Sequence, residues 1–345
     1  MDGMTWIHAD ENLRELRTLE LIASADMQID ISTGADLIDN TWSVTVSDAV
    51  WQMMPIHAGH HIYCPGTEWG GPVTLVQHST RQRAVTLQGP TWRGLLHQKR
   101  IFPPAGAGYL SFTDVDANAL IASVLGSAFG SLYAAVTTPA GVTVSADFRY
   151  QSMARGLQNA LRAYGLRLNV AFDNVTRRVL LSAQPINRLA GIVEISQDYG
   201  VDFTSQIGNV ELANHCLALG SGELAARTVR SVYRVGNAYY LSRPEALPEA
   251  DVRTVLLDYP NAEDEDELIK SAIERLQEAA PAQSIAVNEL AIGVEADLGD
   301  IIPVRDRVTG LTADSEVINK ILNISNGRTA VQMKVGNLNM TEGGN

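Results

Sequence analysis

Runs that alternate apolar and polar residues occupy both ends of this chain, and a period of two restricts such runs to strands with one buried face. Met27-Gln28-Ile29-Asp30-Ile31 and Trp42-Ser43-Val44-Thr45-Val46 have this pattern near the start. Gly66, Gly70, Gly71 and Pro72 then punctuate a loop, and residues 73–76 and 84–89 flank a polar turn at 79–83, which predicts a hairpin. A second copy of the pattern closes the chain. Residues 328–336, Arg-Thr-Ala-Val-Gln-Met-Lys-Val-Gly, echo residues 81–89, Arg-Gln-Arg-Ala-Val-Thr-Leu-Gln-Gly, and the preceding strands at 73–76 and 317–322 are similarly placed. The echo predicts two related β-barrels separated by inserted units.

Between the two ends the period changes. After Pro103-Pro104, Thr113 and Asp116 form a capping-box-like start, and Ala117, Leu120, Ile121, Val124 and Leu125 recur at helical spacing. A second helix is predicted over 152–164, with Met153, Leu157, Ala160, Leu161 and Tyr164 on one face and Gly165 as its stop. Leu166, Leu168, Val170 and Phe172 then alternate, Asp173-Asn174 supplies a turn, and 175–183 returns, making a helix-plus-hairpin unit that ends near Pro185.

From about Ile192 the chain reads as β again, through 210–213 and 228–235. A third helix interrupts it, with Asn261 as cap, acids at 263–267 suited to a positive helix start, and a stripe of Leu268, Ile269, Ala272, Ile273 and Leu276 before Pro281. The acidic run lacks the glycine and the alternating spacing of a calcium loop.

Function classes are narrowed by charge and by missing motifs. With 39 acidic against 26 basic residues the net charge is −13, opposite to what gripping phosphates requires. An acidic wall does suit a channel through which DNA must slide without sticking. The N-terminus lacks a basic cluster followed by an apolar core, so synthesis and folding in a cytoplasm are expected. The longest apolar stretch, 117–135, is broken by Ser123, Gly126, Ser127 and Gly130, which argues against membrane insertion. Cys64 and Cys216, the only cysteines, read as reduced buried thiols.

The best enzyme-like cluster is His57, His60, His61 and Cys64, with Glu68 nearby, since imidazole and thiolate are zinc's preferred ligands. Met53-Met54-Pro55 and Gly59 make that segment a loop, and alternation along His61-Ile62-Tyr63-Cys64 separates His60 from His61. Gly220-Ser221-Gly222 has the wrong spacing for a hydrolase elbow, and no phosphate-binding glycine loop is present. Asp297 and Asp300 are a conceivable acid–base pair, but isolated acids near strand ends ordinarily serve turns and solvation.

Two stretches resemble the tail-tip hub proteins of siphophages. The first is residues 84–89 followed by Trp92-Arg93-Gly94-Leu95-Leu96-His97-Gln98-Lys99-Arg100-Ile101, similar to that family's strand, glycine and short helix ending in a basic residue. The second is Asp297-Leu298-Gly299-Asp300-Ile301-Ile302-Pro303-Val304 with the strands at 316–323 and 329–335, similar to the family's closing barrel. Physically, Gly299 permits a tight approach into a strand while Ile301 and Val304 enter the core. Many members continue into a lytic or fibre-like region; here a polar tail follows Asn337, so no lytic activity is carried over.

The resemblance covers nearly the whole chain and implies a predominantly β, α+β protein of baseplate-hub type. Its expected parts are an N-terminal barrel tube domain at 1–102, an inserted α+β domain at 103–185, a second barrel from 186–250 and 286–345, and a helical insertion at 251–285. It implies a non-enzymatic ring of three copies in the virion's tail tip, continuing the tail tube and lining the DNA exit channel. The implied partners are the distal tail or tail tube protein, the tape-measure protein, and a tip or fibre protein. No catalytic, cofactor or metal residue is expected. The rivals are a metal-dependent hydrolase using His57, His60, His61 and Cys64, and a host-glycan receptor using exposed aromatics such as Trp69 and Trp92.

Overall fold

A computed structural model of the chain describes residues 4–19, 22–32, 40–189, 202–207, 212–236, 238–262, 264–279, 283–289, 296–310, 312–325 and 327–337. The chain divides into two compact units, residues 1–203 with 286–345, and residues 204–285.

The first unit is built on a seven-stranded antiparallel sheet. Arg328–Asn337 lies at one end, followed by Thr312–Ser325, Ser24–Asp30, Thr41–Ser47, Ala84–Pro90 and Leu75–Ser79, with Ile301–Arg305 alongside the first part of Thr312–Ser325. The alternation in the sequence is what the sheet uses. Met27, Ile29, Val44, Val46, Val85, Leu87, Val317 and Leu322 are buried on one face, and their polar neighbours turn to the other. Gly299 takes a φ of 91°, and a Cβ there would lie 3.2 Å from Arg167 Cβ. Past this tight approach Ile301, Ile302 and Val304 are buried.

The hairpins expected in two barrels thus sit at opposite ends of one sheet, joined because Asn319–Ser325 of the long strand pairs with Ser24–Asp30. Among the described residues no closed barrel is found. The echo records amphipathic alternation, a local property that carries no information about the strand next door.

A smaller sheet of Glu15–Thr18, Ile7–Ala9, His61–Tyr63 and Gly70–Pro72 accompanies it. Helices α1 (Asp48–Met53) and α2 (Trp92–His97) are capped by Ser47 and Thr91. Residues 103–185 contribute α3 (Ala117–Leu125), α4 (Met153–Arg162), the hairpin Leu166–Asp173 with Arg178–Pro185, and Leu110–Asp116 paired with Thr143–Phe148. Their apolar faces share one core with Ile7, Tyr63, Trp92, Leu96 and Ile101, so packing is continuous across residue 102.

Several boundaries differ from expectation for physical reasons. Asp116 alone caps α3, accepting from the amides of Asn118 and Ala119, while Thr113 belongs to the strand before it. The hairpin turn spans 174–177, leaving Val175 91% exposed instead of starting the return strand. Tyr164 lies beyond the end of α4, where its hydroxyl donates to Ser145 O and accepts from Ser145 N.

In the second unit the strands Ala238–Tyr240, Val229–Val235, His215–Leu219 and Thr254–Asp258 form a sheet against α5 (Glu265–Glu278). Cys216, Ala218, Val232, Leu268, Ala272 and Leu276 make its core, so α5 serves as the second layer of that sheet. The cap is Asp264, whose carboxylate accepts from Glu267 N, in place of Asn261. Asp202–Ile207 and Gln283–Glu289 form a two-stranded sheet. The expectations at Ile192, Val210, Glu211 and Pro281 fall outside the described residues.

Candidate functional site

The strand Ile7–Ala9 pairs with His61–Tyr63, placing His8 opposite Ile62 and bringing an unforeseen histidine to the predicted cluster. His8 Nε2 and His60 Nδ1 are 2.8 Å apart, the His57 ring meets His60 edge-on at 5.3 Å, and Glu11 stands 3.8 Å from His60 Nε2. Burial first, and the neighbouring His60, Arg17 and His57 after it, push His8 down to about 4, so its ring is neutral at physiological pH. The buried His8 Nδ1 makes no hydrogen bond.

The other predicted members go elsewhere. His61 holds the Asp10 carbonyl through Nδ1 at 3.1 Å and stacks on Trp92, and burial lowers its pKa. Cys64 is buried, which raises its thiol pKa. Glu68 accepts two hydrogen bonds from Arg93, at 2.5 and 2.9 Å. Among the described residues no group of three or more His, Cys, Asp or Glu side chains is arranged to hold a metal ion. What remains at this place is a pair of hydrogen-bonded imidazoles, His8 and His60, with the His57 ring edge-on to His60.

Asp297 and Asp300 are likewise drawn into structure. Asp300, 2% exposed, accepts from the amides of Asn187 and Asp297 at 3.0 and 2.9 Å and lies 3.7 Å from Arg167 Nε. Burial alone would raise the Asp297 pKa, but Lys320 at 2.9 Å and Arg167 at 3.0 Å outweigh it and hold the carboxyl low. These acids anchor the segment before Ile301–Arg305 to the Leu166–Asp173 strand. Trp69 and Trp92 are buried, so neither is available to a glycan. The acids at the start of α5 are committed too: Glu265 pairs with Arg230, and Glu267 accepts from Tyr259 Oη.

A broader surface is left by the seven-stranded sheet. Its second face, opposite Met27, Val44 and Leu87, carries Asp26, Gln28, Ser43, Thr45, Thr86, Gln88 and Asn323, all exposed or half-buried, with Ile321 among them. The registers Asn323↔Asp26↔Ser43↔Gln88 and Thr45↔Thr86 place them in cross-strand rows. Thr45 Oγ1 and Thr86 Oγ1 are 3.2 Å apart. Over the middle strands the rows carry uncharged hydrogen-bonding groups and the Asp26 carboxylate, while on the end strand the exposed Arg328 and Lys334, paired with Ser325 and Asn319, bring basic side chains to the same face. Alternation identifies each of these residues as polar-facing; only the strand pairing gathers them.

No family model and no curated protein sequence matches the chain. Solved structures do. The 43 kDa tail protein of prophage MuSo2 from Shewanella oneidensis shares 12% identity with a TM-score of 0.50, over 96% of this chain and 98% of that one. The prophage tail protein gp18 from Listeria monocytogenes EGD-e shares 13% identity at a TM-score of 0.47, over 96% and 94% of the two chains. A tail protein from Neisseria meningitidis MC58 shares 11% identity at a TM-score of 0.45, over 96% of each chain. At such identity the likeness to the MuSo2 protein is one of fold, and it extends from end to end. Among the described residues no helix is long and apolar enough to cross a membrane.

Proposed function

We propose that this chain is a structural, non-enzymatic hub subunit at the tip of a bacteriophage tail, and that three copies form a ring around the path of the exiting DNA. The end-to-end fold likeness to a prophage tail protein carries this reading. Its neighbours in the virion would be the distal tail or tail tube protein above, the tape-measure protein within, and a tip or fibre protein below, after synthesis and assembly in the host cytoplasm. The echoing hairpins at the two ends of the sheet would offer two similar edges per copy, which suits a three-fold ring beneath a six-fold tube. Closing the two barrels, and with them the finer division into 1–102, 103–185, 186–250 with 286–345, and 251–285, would draw on strands of adjoining copies.

The polar sheet face around Asp26, Ser43 and Gln88 is the proposed lumen wall. The middle strands of this wall, with neutral hydrogen-bonding groups and the Asp26 carboxylate, offer phosphates no counter-charge, and the basic Arg328 and Lys334 stand apart on the end strand, so a duplex passing the middle strands meets nothing there that retains it. The test is imaging of assembled particles together with DNA ejection from particles carrying Asp26→Lys and Ser43→Lys. Three copies around a channel, and slower ejection from the charge-reversed hub, are expected. A single copy per tail refutes the ring, and an unchanged ejection rate refutes the lumen assignment.

A further inference from the structure

One place on the first unit gathers large aromatics in water. Phe102, Tyr109 and Tyr150 are 66%, 52% and 56% exposed. The pairing of Leu110 with Phe148 sets Tyr109 opposite Arg149, and Ile101, hydrogen-bonded to Tyr150 and Gln151, brings Phe102 against the same edge. The Arg149 guanidinium lies 5.6 Å from the Tyr109 ring and 5.5 Å from the Tyr150 ring, and Phe102 meets Tyr150 edge-on at 6.0 Å. Alternation turns Ile101 and Phe148 into the core, so Arg100, Phe102 and Arg149 project outward. Asp147, two residues before Arg149, is the carboxylate nearest to it along the chain.

Tyr150 also has a φ of 56°, a left-handed conformation that bulky side chains avoid. The strained backbone presents an aromatic ring to solvent at the step into α4. Tyrosine, phenylalanine and arginine are what the buried centres of protein interfaces concentrate, and a guanidinium within 6 Å of two rings keeps its N–H fork to offer a carboxylate. On a chain of net charge −13 this patch is the minority charge, and a second copy is a partner rich in its complement.

We propose that Phe102, Tyr109, Arg149 and Tyr150 form the basic side of the contact between copies of this chain, receiving a carboxylate-bearing segment of the next copy. This rests on the ring reading above and names the surface that would hold the ring together.

The experiment is native mass spectrometry and sedimentation equilibrium on the full chain, comparing wild type with Arg149→Glu and Tyr150→Gly. Glycine suits the left-handed backbone, so that variant removes the ring while keeping the fold, verified by circular dichroism. The wild type is expected to self-associate, more weakly as salt rises from about 50 to about 300 mM, and each variant to raise the dissociation constant about tenfold or more. A wild-type assembly that both variants leave unchanged overturns this contact alone, and is the result to be seen if the patch serves a glycan or a different protein. A wild type that stays monomeric at every concentration overturns the contact and counts against the ring as well.

Discussion

His8 Nε2 lies 2.8 Å from His60 Nδ1, so one ring must donate and the other accept, which requires at least one unprotonated nitrogen between them. Protonating both rings would set two donors and two positive charges face to face, with Arg17 and His57 adding to the repulsion and Asp10 opposing it.

The folded pKa of His8 is lowered from 6.5 to about 4, so between these values the unfolded chain takes up a proton that the folded chain refuses. Stability is therefore constant above the upper value and falls as pH drops through the window. The loss from this residue reaches about 3 kcal/mol at its lower end. Urea unfolding at about pH 7.5 and about pH 4.5 should show the fall, and His8→Gln should flatten it. An equally steep fall in the variant would assign the pH dependence to other groups.

Arg93 is 3% exposed at its side chain and forks onto Glu68, with a third bond from Nη2 to the Leu168 carbonyl at 3.0 Å. Glu68→Ala would leave a guanidinium buried without its counter-charge, at a cost of about 3–5 kcal/mol. Glu68→Gln keeps an acceptor and should cost less. Denaturant midpoints of the two variants, compared with wild type, check both the size and the order.

Element types were legible along most of this chain because amphipathic period is local: the stripe Leu120, Ile121, Val124 and Leu125 is buried as its spacing implies. Pairing was not. Nothing near residue 8 signals that its strand adds to His61–Tyr63, and nothing near residue 319 signals that the long C-terminal strand reaches back to Asp30. The histidine cluster was legible only in part: the alternation that parts His60 from His61 is local, while His8, which joins His57 and His60, comes from a distant strand. The sheet face of Asp26, Ser43 and Gln88 was hidden likewise, each residue reading as polar and only the register joining them. Helix starts slipped by up to three residues because several of Thr113, Asp116, Asn261 and Asp264 are chemically able to cap, and tertiary packing selects among them.

A Cβ at Gly89 would sit 1.9 Å from the Pro72 carbonyl oxygen and 3.3 Å from the buried Trp42 ring, whose Nε1 donates to Pro90 O. Backbone there cannot yield without breaking the sheet, so Gly89→Ala is expected to cost more than about 2 kcal/mol, as overpacked sites do. Gly108 has open space at the same position and an ordinary φ, and Gly108→Ala should be close to neutral. Thermal melts of the pair test whether the close approach is real, and equal midpoints would contradict it.

Asp297 and Asp300 flank Gly299, and their environments predict opposite sensitivities. The Asp300 carboxylate, 2% exposed, satisfies the amides of Asn187 and Asp297 and faces Arg167, which is itself 6% exposed. Asp300→Ala removes both acceptors and leaves the guanidinium short of its buried counter-charge, for about 3–5 kcal/mol. The Asp297 side chain is 59% exposed, so its pairs with Lys320 and Arg167 are screened by water, and Asp297→Ala should cost about 1 kcal/mol or less. Paired unfolding curves at neutral pH give the comparison. A large loss at Asp297 with little at Asp300 would mean that the exposed carboxylate, and not the buried one, fixes this segment, and would remove the structural account of why the two acids are there.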